Sequence, residues 1–309
     1  MKQLLLAVAL LAVIGGGLGW GLSAPTTLSD TEIASLKTGD AGNGEMVFWA
    51  GGCASCHAAK GAKGDDLLKL GGGLRLETPF GVFVAPNISS SDGDGIGGWS
   101  LADFANAMTH GTSPDGKNYY PAFPFTSYAR MSLGDVSDLH TYLNTLPAVD
   151  GKAADHELGF PFNIRRGLGL WKRLFLDPEP VISAPVEGTD TDQALWDRGR
   201  YLVEGPGHCG ECHTKRDFAG GLILANWLGG APAPTGDGKI PNITPVDGGF
   251  GSWSASDIAY YLESGFTPDY DSVGGEMVHV QENMARLPST DREAIAAYLK
   301  AIPSVSGGS

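Results

Sequence analysis

All four cysteines of the chain stand in two short motifs with the same spacing. The motifs read Cys53-Ala54-Ser55-Cys56-His57 and Cys209-Gly210-Glu211-Cys212-His213. Residues i, i+3 and i+4 share one face of a helical turn. Two thiols can therefore form thioether bonds to the vinyl groups of a porphyrin, while the imidazole one residue further on binds its iron. The spacing predicts two covalently bound haem c groups, each with the histidine of its motif as an iron ligand.

Three other chemistries use cysteines in pairs: disulfide loops, a thioredoxin-like redox pair and a four-cysteine zinc site. None of them requires a histidine directly after each second cysteine. Because both motifs contain that histidine and together use every cysteine of the chain, haem attachment is the favoured interpretation.

A repeated unit surrounds the two motifs, since Cys209 follows Cys53 by 156 residues and flanking segments match at offsets of 154 to 156. The matching segments include Pro86-Asn87-Ile88 with Pro241-Asn242-Ile243, Gly97-Gly98-Trp99-Ser100 with Gly251-Ser252-Trp253-Ser254, and Tyr142-Leu143 with Tyr298-Leu299. We therefore predict two copies of one domain, over residues 39–148 and 190–303, joined by a linker over residues 149–189.

Each copy has the pattern of a small helical domain. A helix leads into the Cys-His motif, a long glycine-rich stretch follows, and two further helices end the copy. The middle helices are predicted to begin after Ser100 and Ser254, which are good N-caps. The last helices are predicted over residues 134–146 and 290–302, and each stops at a proline. The sequence has no convincing alternating strand pattern, so the predicted fold class is all-α.

The first 28 residues predict a membrane anchor. Positions 3–29 carry no charge, and positions 4–22 are almost wholly apolar, as in a transmembrane helix. A cleaved signal peptide is the alternative, but its best cut, after Ala24, would have a proline directly behind it. We favour an uncleaved helix that leaves Lys2 in the cytoplasm and exports the rest of the chain.

Composition excludes some functions. The chain has 309 residues, of which 42% are hydrophobic and 18% charged, and this fits a folded protein of about two domains rather than a disordered one. Its formal net charge of −14 has the wrong sign for holding a nucleic-acid backbone. Nucleic acid is therefore not an expected partner.

The linker has a different composition from the rest of the chain. Four of the 21 basic residues lie between Pro161 and Phe175, beside tryptophan and phenylalanine. Such a pattern is typical of a membrane-surface or docking segment. The alternative is a linker that packs across both domains with its charges in solvent.

These motifs and their surroundings resemble the membrane-anchored multihaem cytochrome c subunits of bacterial periplasmic dehydrogenases of the alcohol and gluconate type, and their dihaem relatives. The resemblance extends from about Gly39 to Pro303 and implies two tandem class I cytochrome c-like domains with long glycine-rich loops. Its carriers include Phe48-Trp49-Ala50-Gly51-Gly52-Cys53, Thr78-Pro79-Phe80-Gly81, Tyr120-Pro121-Ala122-Phe123-Pro124, Tyr128-Ala129-Arg130-Met131 and Gly205-Pro206-Gly207-His208-Cys209.

The resemblance also implies a function. The expected role is electron transfer by two haem c groups at the periplasmic face of the bacterial inner membrane, with no catalysis by the chain itself. The expected partners are a periplasmic dehydrogenase, a respiratory complex or a soluble cytochrome. The alternative is a dihaem peroxidase or dehydrogenase in which one haem keeps an open or histidine-ligated position.

A methionine is expected as the second axial ligand of each iron, because it raises the reduction potential. Met131 is predicted for the first haem, since it lies just before the last helix of its copy, where cytochrome c domains supply this ligand; many of the resembled subunits carry methionine where this chain has Phe123. Met277 is predicted for the second haem, since it follows two flexible glycines. These two methionines do not match under the offset of 156. The open alternatives are Met108, Met284, His110 and His279.

Three further residues are predicted beside the haems. Each iron-binding histidine should donate its second ring nitrogen to a carbonyl oxygen, and the resemblance, which implies such a segment beside each haem, makes the segments at Pro86 and Pro241 the candidates. Plain turns are the alternative there. Arg75 is predicted to pair with a haem propionate, with a solvated arginine as the alternative.

Overall fold

Helices make up most of the regular structure in the computed structural model, which describes residues 1–233 and 238–306. The helices before the end of the linker are α1 (Lys2–Leu22), α2 (Asp30–Ser35), α3 (Ala41–Ala50), α4 (Cys53–His57), α5 (Leu101–His110), α6 (Phe125–Tyr128), α7 (Leu133–Leu143) and α8 (Leu168–Phe175). The later helices are α9 (Gln193–Glu204), α10 (Gly210–His213), α11 (Ala255–Ser264), α12 (Met277–Met284) and α13 (Ser289–Lys300).

The all-α prediction is wrong in one respect, because the structure also contains two small antiparallel sheets. One sheet has the strands β1 (Arg75–Thr78), β2 (Gly81–Val84) and β3 (Glu157–Leu158), and the other has β4 (Ala231–Pro232) and β5 (Lys239–Ile240). The strands have two to four residues, too few for an alternating pattern to stand out in a sequence. Gly81, with φ of +124°, allows the tight turn between β1 and β2, since residues with side chains rarely adopt this conformation.

The middle helices begin where the sequence predicts. Ser100 and Ser254 are N-caps, and each forms a reciprocal capping box with the aspartate three residues on. The last helices, α7 and α13, end two or three residues earlier than predicted. Leu146 and Ile302 each precede a proline, and a residue in that position is disfavoured in helical conformation, so the helix stops before reaching it.

The same helix crossing occurs in both halves of the chain. Helix α3 packs against α7, and α9 packs against α13. At the first crossing a Cβ atom on Gly44 would overlap the carbonyl oxygen of Asp138, and at the second a Cβ atom on Gly199 would overlap that of Ala294. Glycine therefore lets the two backbones approach closely, and each crossing fixes the helix that leads into a Cys-His motif.

The linker packs against both halves. Trp171 on α8 donates its indole N–H to the carbonyl oxygen of Ala219 at 2.9 Å. Lys172 donates to the carbonyl oxygens of His110 and Gly111, at 2.6 and 2.8 Å, and is only 4% exposed. The linker therefore packs across both halves, as the second interpretation predicted. Its charges are not all in solvent, because the ammonium group of Lys172 caps the end of α5.

The N-terminal segment forms the helix α1. Within the part of the chain that the structure describes, no helix combines the length and the apolar character needed to cross a membrane.

Replacing Gly44 by alanine is expected to destabilise the haem-loaded protein, because the new Cβ atom would overlap backbone atoms of α7. Overpacking of this kind costs about 1–3 kcal/mol of unfolding free energy, which guanidinium titration measures. Gly134→Ala is the matched control, since Gly134 lies on α7 with its nearest neighbour, Ser132 Oγ, at 3.6 Å from a built Cβ. Equal stability of Gly44→Ala and the parent protein would contradict the close crossing.

Candidate haem sites

Each Cys-His motif forms one short helical turn. Cys53 to His57 are α4, and the turn is entered through Gly52, whose φ of +58° is left-handed. Gly210 to His213 are α10, with Cys209 as the N-cap residue. The sulfurs and the imidazole of each motif are therefore presented by consecutive residues of a single turn, as the spacing predicts.

Each motif histidine donates a hydrogen bond to a proline carbonyl oxygen. Nδ1 of His57 lies 2.8 Å from the carbonyl oxygen of Pro86, and Nδ1 of His213 lies 2.8 Å from that of Pro241. A carbonyl oxygen only accepts hydrogen bonds, so Nδ1 must carry the proton and Nε2 keeps a free lone pair. Both predicted carbonyl partners are thus present, and they select the tautomer that can bind a metal through Nε2.

The protonation state of the imidazoles also suits metal binding. Burial lowers the pKa of His57 and of His213, and the hydrogen bond to the carbonyl oxygen opposes this effect without cancelling it. A lowered pKa favours the neutral ring. Neutral imidazole is the form that binds iron.

The cysteines do not have the character of a redox pair or of a zinc site. All four are free thiols. Burial raises the pKa of Cys53 and of Cys209 to about 12, whereas reactive and metal-binding cysteines need a lowered pKa. Among the residues that the structure describes, no group of three or more His, Cys, Asp or Glu side chains could hold a metal ion. Protonated thiols that are still partly accessible, beside a neutral imidazole, fit the covalent attachment of haem.

The two motifs lie beside each other. Burial raises the pKa of Cys56, and the neighbouring Cys212 raises it further. His208, which directly precedes the second motif, has Nε2 3.2 Å from the carbonyl oxygen of Gly51, and it donates across the interface when that nitrogen is protonated. Its ring also packs edge-on against Tyr128, with centroids 5.7 Å apart. The attachment points of the two haem groups are therefore close neighbours.

The residue directly before the second cysteine of each Cys-His motif is hydrogen-bonded to a side chain of the opposite half of the chain. Ser55 Oγ accepts a hydrogen bond of 2.8 Å from Asn283 Nδ2. Glu211 Oε1 accepts hydrogen bonds of 2.8 Å from Ser127 Oγ and 3.0 Å from Thr126 Oγ1. The offset of 156 relates Ser55 to Glu211 and also Ser127 to Asn283. We call this pair of equivalent contacts the reciprocal clasp.

The predicted axial methionines occupy different environments. Met131 is buried and borders a cavity of about 450 Å³, whose wall also contains its alternative His110. Met108 is buried in the core on α5. Met277 is half-buried at the start of α12, whereas Met284 is fully buried at its end. The structure thus brings Met131 and His110 to one cavity and leaves Met277 the more accessible methionine of its helix.

Arg75 has a different partner from the predicted propionate. Its guanidinium group donates two hydrogen bonds to Glu157, of 2.9 and 2.7 Å, across the first sheet. Arg75 is on β1 and Glu157 is on β3, and this strand from the linker was not expected. A bidentate carboxylate thus occupies the guanidinium fork, and the contact of Arg75 with a haem propionate stays a prediction.

The residues of the clasp are not evident from the sequence. Asn283 and Ser127 carry no motif of their own. The one signal that links them is the offset of 156, which places a polar residue at both clasp positions in each half. Contact between them depends on how the halves pack, and no local pattern contains that information.

Comparison with known proteins supports the haem interpretation. The family described as cytochrome c matches residues 41–147. A diheme cytochrome c-type protein of Cereibacter sphaeroides is 51% identical over 305 residues, which cover 99% of this chain and 100% of that protein. The same correspondence supports two haem c groups in this chain.

Cytochrome subunits of dehydrogenases are also similar. The fructose dehydrogenase cytochrome subunit of Gluconobacter japonicus is 36% identical over 88% of this chain and 54% of that subunit. The cytochrome c subunit of alcohol dehydrogenase (quinone) of Gluconobacter oxydans is 33% identical over 94% of this chain and 61% of that subunit. This chain therefore spans little more than half the length of these two proteins, which are named as cytochrome subunits of dehydrogenases.

Removing the clasp is expected to weaken the contact between the halves. Glu211→Ala leaves the hydroxyl groups of Ser127 and Thr126 without their acceptor, and hydrogen bonds to a charged group contribute about 1.5–3 kcal/mol. Guanidinium unfolding of the haem-loaded protein should show a loss of this size, whereas Glu211→Gln, which keeps an acceptor oxygen, should lose less. Glu293→Ala, at an exposed position of α13, is the control. A Glu211→Ala variant as stable as this control would show that the clasp contributes nothing.

Proposed function

The chain belongs to the cytochrome c family, and on that premise we propose that it relays electrons from a dehydrogenase to an acceptor through two haem c groups held side by side. The observation that carries this proposal is the shared interface at which the two Cys-His motifs are held. His208, directly before the second motif, contacts Gly51 just before the first, and Asn283 of the second half binds Ser55 within the first motif. When bound, haem c gains and loses single electrons. Two attachment points on one rigid interface favour electron exchange between the groups.

We assign the attachment of each haem to one motif. Cys53 and Cys56 would form the thioether bonds of the first group, and Cys209 and Cys212 those of the second. His57 and His213 would bind the irons through Nε2, oriented by the carbonyl oxygens of Pro86 and Pro241. The protein's own contribution is therefore to fix the imidazole rings and to hold the two sites together.

Met131 and Met277 are the proposed second axial ligands. Both Met131 and Met108 are buried in the core. Met131 is favoured, because it lies just before α7 and also borders the cavity. Met277 is favoured over Met284, because it is half-buried and follows Gly275, whose φ of +60° marks a turn before α12. Methionine on the sixth position would raise both reduction potentials.

The two halves, over residues 39–148 and 190–303, are proposed to be copies of one domain. The equivalent glycine crossings, the equivalent histidine–carbonyl bonds and the reciprocal clasp support this. The proposed location of the protein is the periplasmic face of a bacterial inner membrane, with α1 as the membrane attachment. Large apolar side chains of α1 such as Leu5, Leu11 and Leu18 are more than 60% exposed, which favours contact with lipid over contact with protein.

Electron delivery can be tested in native membranes. Membranes containing the haem-loaded chain are supplied in turn with alcohol, fructose or gluconate, and the haem absorbance is followed. Reduction by one substrate, lost in a His57→Ala, His213→Ala variant, is the expected result. If dithionite reduces both haems but no dehydrogenase substrate does, the chain is not an electron acceptor of these enzymes.

The axial assignment predicts a selective change of potential. Met131→Ala should lower one of the two midpoint potentials and leave the other unchanged, because methionine ligation raises the potential of its own iron. A redox titration monitored by haem absorbance measures both values. Met108→Ala, which removes a buried methionine of α5, is the matched control and should leave both potentials in place. A shift in the control but not in Met131→Ala would move the ligand to Met108.

A further inference from the structure

The end of α1 is tied to the linker by two arginines. Arg166 donates to the carbonyl oxygen of Trp20 at 2.7 Å and stacks over its ring, 4.2 Å from the centroid. Arg173 donates to the carbonyl oxygen of Leu22 at 2.6 Å. The last carbonyl groups of a helix have no partner within it, so these guanidinium groups complete the end of α1. The helix and the linker are joined as one unit.

The linker exposes apolar side chains beside this junction. We call residues 160–175 the surface segment. Leu170 and Leu174 lie one turn apart on α8, and Leu174 is 77% exposed. Three further large apolar residues of the same segment are also exposed, and they are Phe160, Phe162 and Ile164.

The surface segment is positively charged in an acidic protein. Its surface charge comes from Arg165, Arg166 and Arg173, since Lys172 is buried against the first half, while the whole chain has a formal net charge of −14. Among the described residues, no carboxylate lies within 4.0 Å of any of these three arginines. A local positive charge that the protein does not neutralise is complementary to an anionic surface.

We propose that the surface segment lies on the anionic phospholipid headgroups of the bilayer, with its exposed leucine and phenylalanine side chains in the boundary between headgroups and acyl chains. The inference rests on the proposed attachment of α1 to the membrane. Short segments with apolar residues beside arginine bind membranes in this way. Trp20, 66% exposed at the end of α1, is of the residue type that is enriched at this depth.

A second membrane contact has a mechanical consequence. A single helix would leave the body of the protein free to rotate about the helix axis. The surface segment would hold the body at two points, because Trp171 and Lys172 on the buried side of α8 bind both halves. Both haem sites would then keep one orientation towards partners in the same membrane.

Labelling at single new cysteines tests the proposal, since haem attachment uses all four native cysteines. Nitroxide labels are placed in full-length, haem-loaded Leu174→Cys and Phe160→Cys, with Tyr270→Cys, at a 94% exposed position of the second half, as the control. The proteins are inserted into nanodiscs of phosphatidylglycerol and phosphatidylethanolamine. Labels at positions 174 and 160 should be several-fold less accessible to a water-soluble nickel relaxant than the control, and phosphatidylcholine alone should reduce the difference.

Three results would overturn the proposal. Labels at positions 174 and 160 that stay as accessible as the control, in nanodiscs that contain the protein, exclude contact with lipid. Shielding that requires an added dehydrogenase would identify a protein partner as the occupant. A chain that does not co-elute with nanodiscs would show that neither α1 nor the surface segment binds lipid. Reduction of the haems by dehydrogenase substrates is measured separately, so the proposed electron transfer can stand when this inference fails.

Discussion

The hydrogen bond from each motif histidine to a proline carbonyl oxygen is the interaction on which the two sites depend. It places the proton on Nδ1 and leaves Nε2 free, and without it a buried imidazole could adopt the other tautomer or turn away. The two prolines lie 29 and 28 residues after the histidines that their carbonyl oxygens bind. A long loop with little regular structure is therefore constrained at the one point where its backbone meets the ring.

The remaining architecture holds these two points in a fixed relation. Glycine at each helix crossing allows the helix before the motif to sit directly on the last helix of its half. The reciprocal clasp then connects the halves through Ser55 and Glu211. Each of them lies between the two cysteines of its motif and binds a side chain of the other half. Glu211 is also paired with Arg216, so its carboxylate is oriented from its own side as well. The two sites are thus built into a single interface.

Local sequence patterns were sufficient to predict part of this structure. The Cys-His spacing and the serine caps of α5 and α11 follow from residues close in sequence, the carbonyl partners at Pro86 and Pro241 were expected from the family resemblance, and the structure contains all of them. The pairing of β3 with β2, the Arg75–Glu157 pair and the clasp depend on residues that are 70 or more positions apart. Such contacts are fixed by packing and leave no periodic signal. The burial of Lys172 has the same origin, because its three acceptors lie at the end of a helix about 60 residues earlier.

The position of the glycine crossings bears on which parts of the protein can fold independently. Helix α3 finds its partner α7 within the first half of the chain, and α9 finds α13 within the second. As synthesis proceeds from the N-terminus, the first crossing can close before α9 exists, and domains generally fold as such units during synthesis. The clasp, by contrast, needs residues from both halves. The first Cys-His turn can therefore be framed without any residue of the second half, whereas joining the halves requires both.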